Sequence, residues 1–314
     1  MTVLVLGAAG FIGPHVVSSL AAAGEEVIAA SRSGAGPHGA RLDRRDAQAV
    51  AALVRDRRAS AVIDLIAFTE AGTLPLLAAL DGVAARYVLA SSCDVYRNYE
   101  GLHRKAAPAP IAGPLGEGSP LRTLRYPYRA APRRSADAAD AWMDDYDKIP
   151  LEAALMSRPS LGGVVVRLPM VFGPGDRQRR FHWLLGPMLA GEPRVSVDPG
   201  WARWRTTYGY VEDIGHALAA AATHPAAAGR VFNVGRRDVG DHRDWIDRFA
   251  AALDWEGEVT EARAGPKSPL AALDLSYPLI VDSSAFREAC GWREPTDFED
   301  ALLRTASDER RRGQ

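Results

Sequence analysis

Val3-Leu4-Val5-Leu6 runs directly into Gly7-Ala8-Ala9-Gly10-Phe11-Ile12-Gly13, and a helical pattern follows from Ile12 to Ala23. An apolar strand, three glycines spaced three apart and a helix, in that order, bring backbone close to a pyrophosphate and aim a helix N-terminus at it. Gly7 permits the tight turn, Gly10 leaves no side chain where phosphates sit, and Gly13 lets the helix pack on the strand. A second strand, Glu26 to Ala30, arrives where a βαβ unit needs it. The stretch therefore predicts a dinucleotide site built by Gly7, Gly10, Phe11, Ile12 and Gly13. The glycines alone are a weak signal; the strand before them and the helix after them carry the reading.

Outward from there, strand-like runs at Ala61 to Ile66, Arg86 to Ala90 and Val164 to Arg167 alternate with helical patterns at Asp46 to Asp56 and Glu70 to Leu80. Apolar strands separated by helices predict an α/β chain: a doubly wound parallel Rossmann sheet covered on both faces. Later strands are expected near Trp204 to Tyr208 and Val231 to Val234. Later helices are expected at Val211 to Thr223, Arg243 to Leu253, Ser283 to Cys290 and Phe298 to Ala306. The segment from Arg97 to about Asp140 breaks this rhythm with Pro108, Pro110, Pro114, Pro120, Pro127 and Pro132. It reads either as a lid or substrate loop, or as a permissive surface insertion.

Composition narrows the function classes. The net charge of -1 leaves no electrostatic footprint for nucleic acid or a membrane surface. Two distant cysteines, Cys93 and Cys290, imply no disulfide framework. No run approaches a membrane span and no metal site is expected, so a cytoplasmic protein acting on a small-molecule substrate is the expectation. The Arg-rich end, Asp308 to Gln314, reads as a frayed tail.

Several further motifs follow the glycine turn in order. They are Leu42-Asp43, Ile63-Asp64-Leu65-Ile66-Ala67, Leu89-Ala90-Ser91-Ser92-Cys93-Asp94-Val95-Tyr96, Arg167-Leu168-Pro169-Met170-Val171-Phe172-Gly173-Pro174-Gly175, Tyr210-Val211-Glu212-Asp213, Phe232-Asn233-Val234-Gly235 and Cys290-Gly291-Trp292. With them the chain resembles the extended short-chain dehydrogenases/reductases, the group that contains nucleotide-sugar epimerases and dehydratases. The resemblance implies a nicotinamide dinucleotide, a dinucleotide-binding domain over 1–168 and about 206–238, and a smaller C-terminal substrate domain over 169–205 and 239–314. It implies that Asp43 meets the adenine amino group, that Leu42 lines the adenine pocket and that Ala67 lies on the ribose and nicotinamide side. It also implies a homodimer built through two helices of each subunit.

The end of the second strand separates NADP from NAD. An acid there binds a bare ribose, whereas a cation accepts a 2′-phosphate. Here it reads Ser31-Arg32-Ser33, with no acid, which favours NADP.

The chemistry that the resemblance implies moves a hydride at a carbon and a proton at its oxygen, with a hydroxyl, a tyrosine and a lysine. Ser92 falls where the hydroxyl belongs, with Ser91 its neighbour. Lys148 and Glu152 keep the family spacing, but the tyrosine position, four before the lysine, is Asp144. Tyr146 stands two before Lys148. Pro150 is comfortable only in the first turn of a helix, so Tyr146 and Lys148 are expected in an extended approach where residues two apart point the same way. Tyr146 is the favoured proton donor. Tyr126, Tyr128, Asp144 and Asp94 remain alternatives, as does absence of the acid. Lys148 is also expected to hold the nicotinamide ribose.

Nucleotide-sugar enzymes of this group carry Asn where this chain has Met170, and Arg where it has Thr206, with Arg205 one residue off register. Phe172, Phe181, Trp183, Trp201 and Trp204, with Arg177, Arg179, Arg180 and His182, form a candidate aromatic, partly basic cleft, although each ring alone reads better as core. His15 is expected to pack rather than react, and Cys93 to be a small buried filler. The favoured function is a carbonyl-reducing or alcohol-oxidising NADP(H) enzyme. The alternatives are a nucleotide-sugar epimerase or dehydratase using NAD, and a non-catalytic dinucleotide-binding regulator.

Overall fold

The computed structural model describes residues 1–34, 38–237, 240–265 and 268–313. The glycine-flanked strand becomes β1 (Thr2–Leu6), followed by α1 (Gly13–Ala22), β2 (Glu26–Ser31) and β3 (Gly39–Arg41). Next come α2 (Ala47–Asp56), β4 (Ala61–Asp64), α3 (Glu70–Leu80), β5 (Arg86–Ser92), α4 (Arg97–Leu102), α5 (Lys148–Met156) and β6 (Val164–Leu168). The remainder holds β7 (Met170–Phe172), α6 (His182–Leu189), β8 (Arg194–Val197), α7 (Pro199–Arg203), β9 (Tyr208–Tyr210) and α8 (Val211–Thr223). It closes with β10 (Arg230–Asn233), α9 (His242–Ala252), β11 (Glu258–Glu261), α10 (Ser284–Cys290) and α11 (Phe298–Arg312).

The main sheet has seven strands in the order β10-β6-β5-β4-β1-β2-β3, and every pairing in it is parallel. The order reverses beside β1, which opens a crevice at the carboxyl ends of β1 and β4. Val3, Leu4 and Val5 are fully buried because helices cover both faces, and each such side chain contributes about 1.5–3 kcal/mol of apolar burial. Helices α1 and α8 pack on one face, with β5, β6 and the C-terminal aromatics in the same core; α2, α3 and α5 cover the other. Two small parallel sheets, β7–β9 and β8–β11, belong to the C-terminal part.

Several sequence expectations shift. The strand expected at 204–208 forms at Tyr208–Tyr210, because Trp204 is buried beside Tyr277 and its indole donates to the Tyr277 carbonyl. Strands β3, β7, β8 and β11 are too short, or too exposed, to show an apolar run. The C-terminal tail does not fray: α11 continues to Arg312, where Asp308 accepts from the Gly175 backbone, Arg312 donates to the Asp176 carbonyl and Glu309 pairs with Arg179. The 238/239 domain boundary and Gln314 lie outside the described residues.

The proline-rich segment is anchored rather than a permissive surface insertion, and its Tyr128 reaches Asp94, as the substrate-loop reading requires. Leu115 is fully buried and bridges Val281, Tyr96 bridges Leu121, and Asn98 holds the segment through Ile111. Arg122 forms a fully buried ion pair with Asp147, immediately before α5. The insertion is thus a strap anchored at several points, and it ends at the residues that matter for the site.

Candidate active site

The glycine turn takes the expected form. Gly7 has φ +89, a left-handed conformation, and Gly10 N–H closes the turn on the Gly7 carbonyl at 2.9 Å. A Cβ on Gly13 would lie 2.4 Å from the Gly7 and Ala8 carbonyl oxygens, so only glycine allows this helix–strand approach. Helix α1 has no side-chain cap at Ile12; Pro14 has no N–H and His15 N–H donates to the Ile12 carbonyl, so the Gly13 N–H at the helix start is the donor turned to an anion. These features fit a pyrophosphate.

At the far end of the crevice, Arg32 and Ser33 are exposed at the end of β2, and Ser31 Oγ lies 3.2 Å from Ser33 Oγ. Asp43 pairs with Arg45 at 2.8 Å, and that guanidinium holds its carboxyl down to about 2. Leu42 packs against the core beside it. A network that the sequence reading missed fixes the floor. Arg44 is buried against Asp64 and also donates to Gly72 O and Thr73 Oγ1, while Tyr87 donates to the same carboxylate. Asp64 additionally accepts from Ile66 N–H, so it shapes the loop that carries Ala67. An aspartate ending an apolar strand, with no hydrated neighbour, was the available signal.

Ser92, Tyr146 and Lys148 come together at the carboxyl end of β5. Strand alternation turns Ser91 to Glu152 at 2.5 Å and leaves Ser92 on the crevice side, where its Oγ accepts from Asp94 N–H and acts to lower the pKa of the nearby Tyr146 phenol. Tyr146 and Asp147 are extended (φ -66, ψ 125 and φ -161, ψ 115), and Tyr146 bridges Thr69 as a short antiparallel edge. Helix α5 begins at Lys148, with Pro150 in its first turn. Tyr146 and Lys148 accordingly project together: Lys148 Nζ stands 5.6 Å from the Tyr146 ring centroid and 5.0 Å from that of Phe68. Its ammonium donates to the Ala67 carbonyl at 2.5 Å and the Ala90 carbonyl at 2.7 Å. Burial lowers its pKa to about 8. Tyr146, two residues before Lys148 in sequence, is therefore on the same side as the lysine in space.

Two of the alternatives are occupied elsewhere. Asp144 is committed to Arg134 and to the Ala130 and Arg134 N–H groups. Tyr126 lies against Arg125 and Arg129. Asp94 is part of the site: its Oδ2 accepts the Tyr146 hydroxyl at 2.8 Å and the Tyr128 hydroxyl at 3.0 Å. Burial first, then the Asp94 charge, hold the Tyr146 phenol well above its usual pKa. Tyr128 arrives on the strap, a placement no local pattern announces.

The aromatic cleft is corrected. Phe172, Phe181 and Trp204 are buried core, and Phe172 and Phe181 pack on Trp245 and Tyr208. Arg179 and His182 pair with Glu309, and Arg180 with Asp176. Trp183 and Trp201 are half-buried, and Trp201 stacks on His242 at 4.1 Å. Thr206 is buried on the Leu279 carbonyl. His15 lines a groove of about 650 Å³ with Glu212, His216 and Arg304, and burial lowers its pKa. Cys93 is buried, its thiol pushed up to about 12 by desolvation.

Comparison with known proteins gives the family. Residues 3–235 match the NAD dependent epimerase/dehydratase family. The chain belongs to that family. It is 30% identical over 260 residues to the 2'-dehydrokanamycin reductase of Streptomyces kanamyceticus, covering 81% of this chain and 67% of that protein. The UDP-glucose 4-epimerase of Thermotoga maritima, solved with UDP-glucose, shares its fold at TM-score 0.69 and 20% identity over the full length of both chains. RMD of Pseudomonas aeruginosa, complexed with NADPH, superposes at TM-score 0.69 and 20% identity over 99% of this chain and 98% of that one. The protein is an NAD(P)-dependent enzyme of the short-chain dehydrogenase/reductase type. Among the described residues, no helix is long and apolar enough to cross a membrane.

Proposed function

We propose that this enzyme uses NADP(H) to reduce a ketone on a small molecule, and in reverse oxidises the corresponding alcohol. The observation that carries the reading is the convergence of Ser92, Tyr146 and Lys148 beside the dinucleotide crevice. The glycine turn and the α1 N-terminus hold the pyrophosphate. Arg32, with the Ser31 and Ser33 hydroxyls, takes the 2′-phosphate, and Asp43 and Leu42 take the adenine. The bound nicotinamide supplies or accepts the hydride. Lys148 keeps one N–H for the ribose beside Ala67, Ser92 holds the substrate oxygen and Tyr146 delivers the proton to it. A phenol kept protonated by its surroundings favours the reducing direction, and the relative named a reductase agrees.

The nucleotide-sugar reading has support in the UDP-glucose complexes of proteins with this fold. Met170 and the buried Thr206 give it no diphosphate ligand at the two positions where the family resemblance calls for Asn and Arg. Titration of the purified protein with NADPH and NADH tests the preferred reading. NADPH is expected to bind at least tenfold more tightly, and Arg32→Ala to remove most of that margin, as loss of charge-assisted hydrogen bonds implies. Equal binding of the two coenzymes, or a margin untouched by Arg32→Ala, contradicts the cofactor assignment.

A further inference from the structure

One oxygen at the centre of the site is left without a partner. Asp94 is 2% exposed, and its Oδ2 already accepts from Tyr146 and Tyr128. Its Oδ1 is buried and has no hydrogen-bond partner. Nor does Asp94 form an ion pair with a side chain among the described residues. The neighbouring buried carboxylates do: Asp64 with Arg44, Glu152 with Arg167, Asp147 with Arg122. Lys148 directs two donors at backbone carbonyls instead. The Lys148 charge acts on Asp94 through space but not by contact, and a buried carboxylate with an unpartnered oxygen and no contacting cation is costly, so a site retains it when a ligand completes it.

The surroundings say which kind of ligand. Three phenol rings stand together around this carboxylate. Tyr128 packs edge-on to Tyr146 with centroids 5.0 Å apart, and Tyr99 packs edge-on to Tyr128 at 5.9 Å. Two of the phenols already spend their hydroxyls on Oδ2, so what the buried carboxylate still lacks at Oδ1 is a positive charge, which it attracts more strongly than a neutral donor and which a phosphate cannot supply.

Resting on the reading of the chain as a carbonyl reductase, we propose that Asp94 receives an ammonium group of the substrate. The substrate class is then an amino ketone, reduced to an amino alcohol. Because the same carboxylate touches the Tyr146 hydroxyl, the amine lies a short way along the carbon skeleton from the reacting carbon. The arrangement also couples recognition to proton transfer. The Asp94 charge disfavours a phenolate on Tyr146, and an ammonium on Oδ1 offsets that charge as the proton leaves. A substrate lacking the amine loses both binding and turnover.

The test uses the full-length enzyme saturated with NADP+ and two probes, trans-2-aminocyclohexanol and trans-1,2-cyclohexanediol, titrated by calorimetry. The amine is expected to bind at least tenfold more tightly, the scale of a charge-assisted bond over a neutral one. Asp94→Asn is expected to bring the two affinities within about twofold while NADP+ affinity holds, and Tyr128→Phe, which leaves the carboxylate, to keep the preference. Equal binding of the probes to the native enzyme, or binding of neither, overturns the proposal, as does an Asp94→Asn enzyme that still prefers the amine. If Asp94→Asn does not fold, the native comparison decides. Failure of NADP+ to bind overturns the reductase reading itself, and with it this inference.

Discussion

Tyr146 carries the chemistry of this account, and its hydrogen bond to Asp94 defines its resting state. Desolvation and the adjacent carboxylate keep it protonated, as the acid role proposed for it requires. Replacing it with Phe removes the proton donor and leaves the ring packing on Phe68 and Trp142. Tyr146→Phe is expected to lower kcat for ketone reduction by roughly a hundred- to ten-thousand-fold. NADPH affinity, read by fluorescence, is expected to stay unchanged. Lys148 sets a second prediction. Its lowered pKa means that it loses its charge as pH rises through about 8. The kcat/KM for NADPH is expected to fall above that pH, and a profile flat to pH 9.5 contradicts the role given to the ammonium. Ser92 and Lys148 were legible in the sequence because family spacing marks them. Tyr146 was legible only through Pro150, which forces the helix to begin late and the preceding residues to extend. Asp94 was visible merely as an alternative, since its importance depends on Tyr128, brought from far along the chain.

The strap and α5 act together through Asp147. This carboxylate accepts from Arg122 and Arg125, caps α5 at Ile149 and follows directly on Tyr146. Breaking such a buried pair from one side costs about 3–5 kcal/mol, because the other charge stays buried and unpaired. Asp147→Ala is expected to lose that much in urea unfolding, and the Arg122→Met, Asp147→Leu double variant to recover a large part of it. An Asp147→Ala loss below about 1 kcal/mol shows that the strap is not anchored there. The main sheet strands were readable because each is a continuous apolar run fenced by helices. The strap was not. Proline and arginine composition rules out a central strand or a long helix there, and α4 is short, but it says nothing about long-range ion pairs such as Arg122–Asp147. The same limit applies to the C-terminal end of α11, whose charged residues look solvated until Glu309 meets Arg179 and His182.

The alternating strands and helices of the amino-terminal half made the doubly wound sheet legible, whereas the aromatic side chains of the C-terminal half pack into a core rather than line a cleft. Buried in that core, His242 hydrogen-bonds Tyr208 at 2.8 Å and the Trp201 carbonyl at 3.0 Å, and desolvation lowers its pKa from 6.5 to about 4. Between those values the unfolded chain binds a proton that the folded protein refuses, so stability falls as pH drops from about 6.5 through about 4, by up to ~3 kcal/mol. Comparing native and His242→Gln unfolding free energies across that window isolates the contribution, and the variant is expected to show the shallower slope. Parallel slopes contradict it.

The most direct test is a crystal structure of the enzyme with NADPH and a ketone analogue bound. Tyr146 Oη and Ser92 Oγ are expected to converge on the carbonyl oxygen, each at about 3 Å, with the carbonyl carbon over the nicotinamide C4 and Lys148 Nζ on the ribose. A Tyr146 hydroxyl that stays turned to Asp94, out of reach of that oxygen while the analogue is bound, contradicts the account.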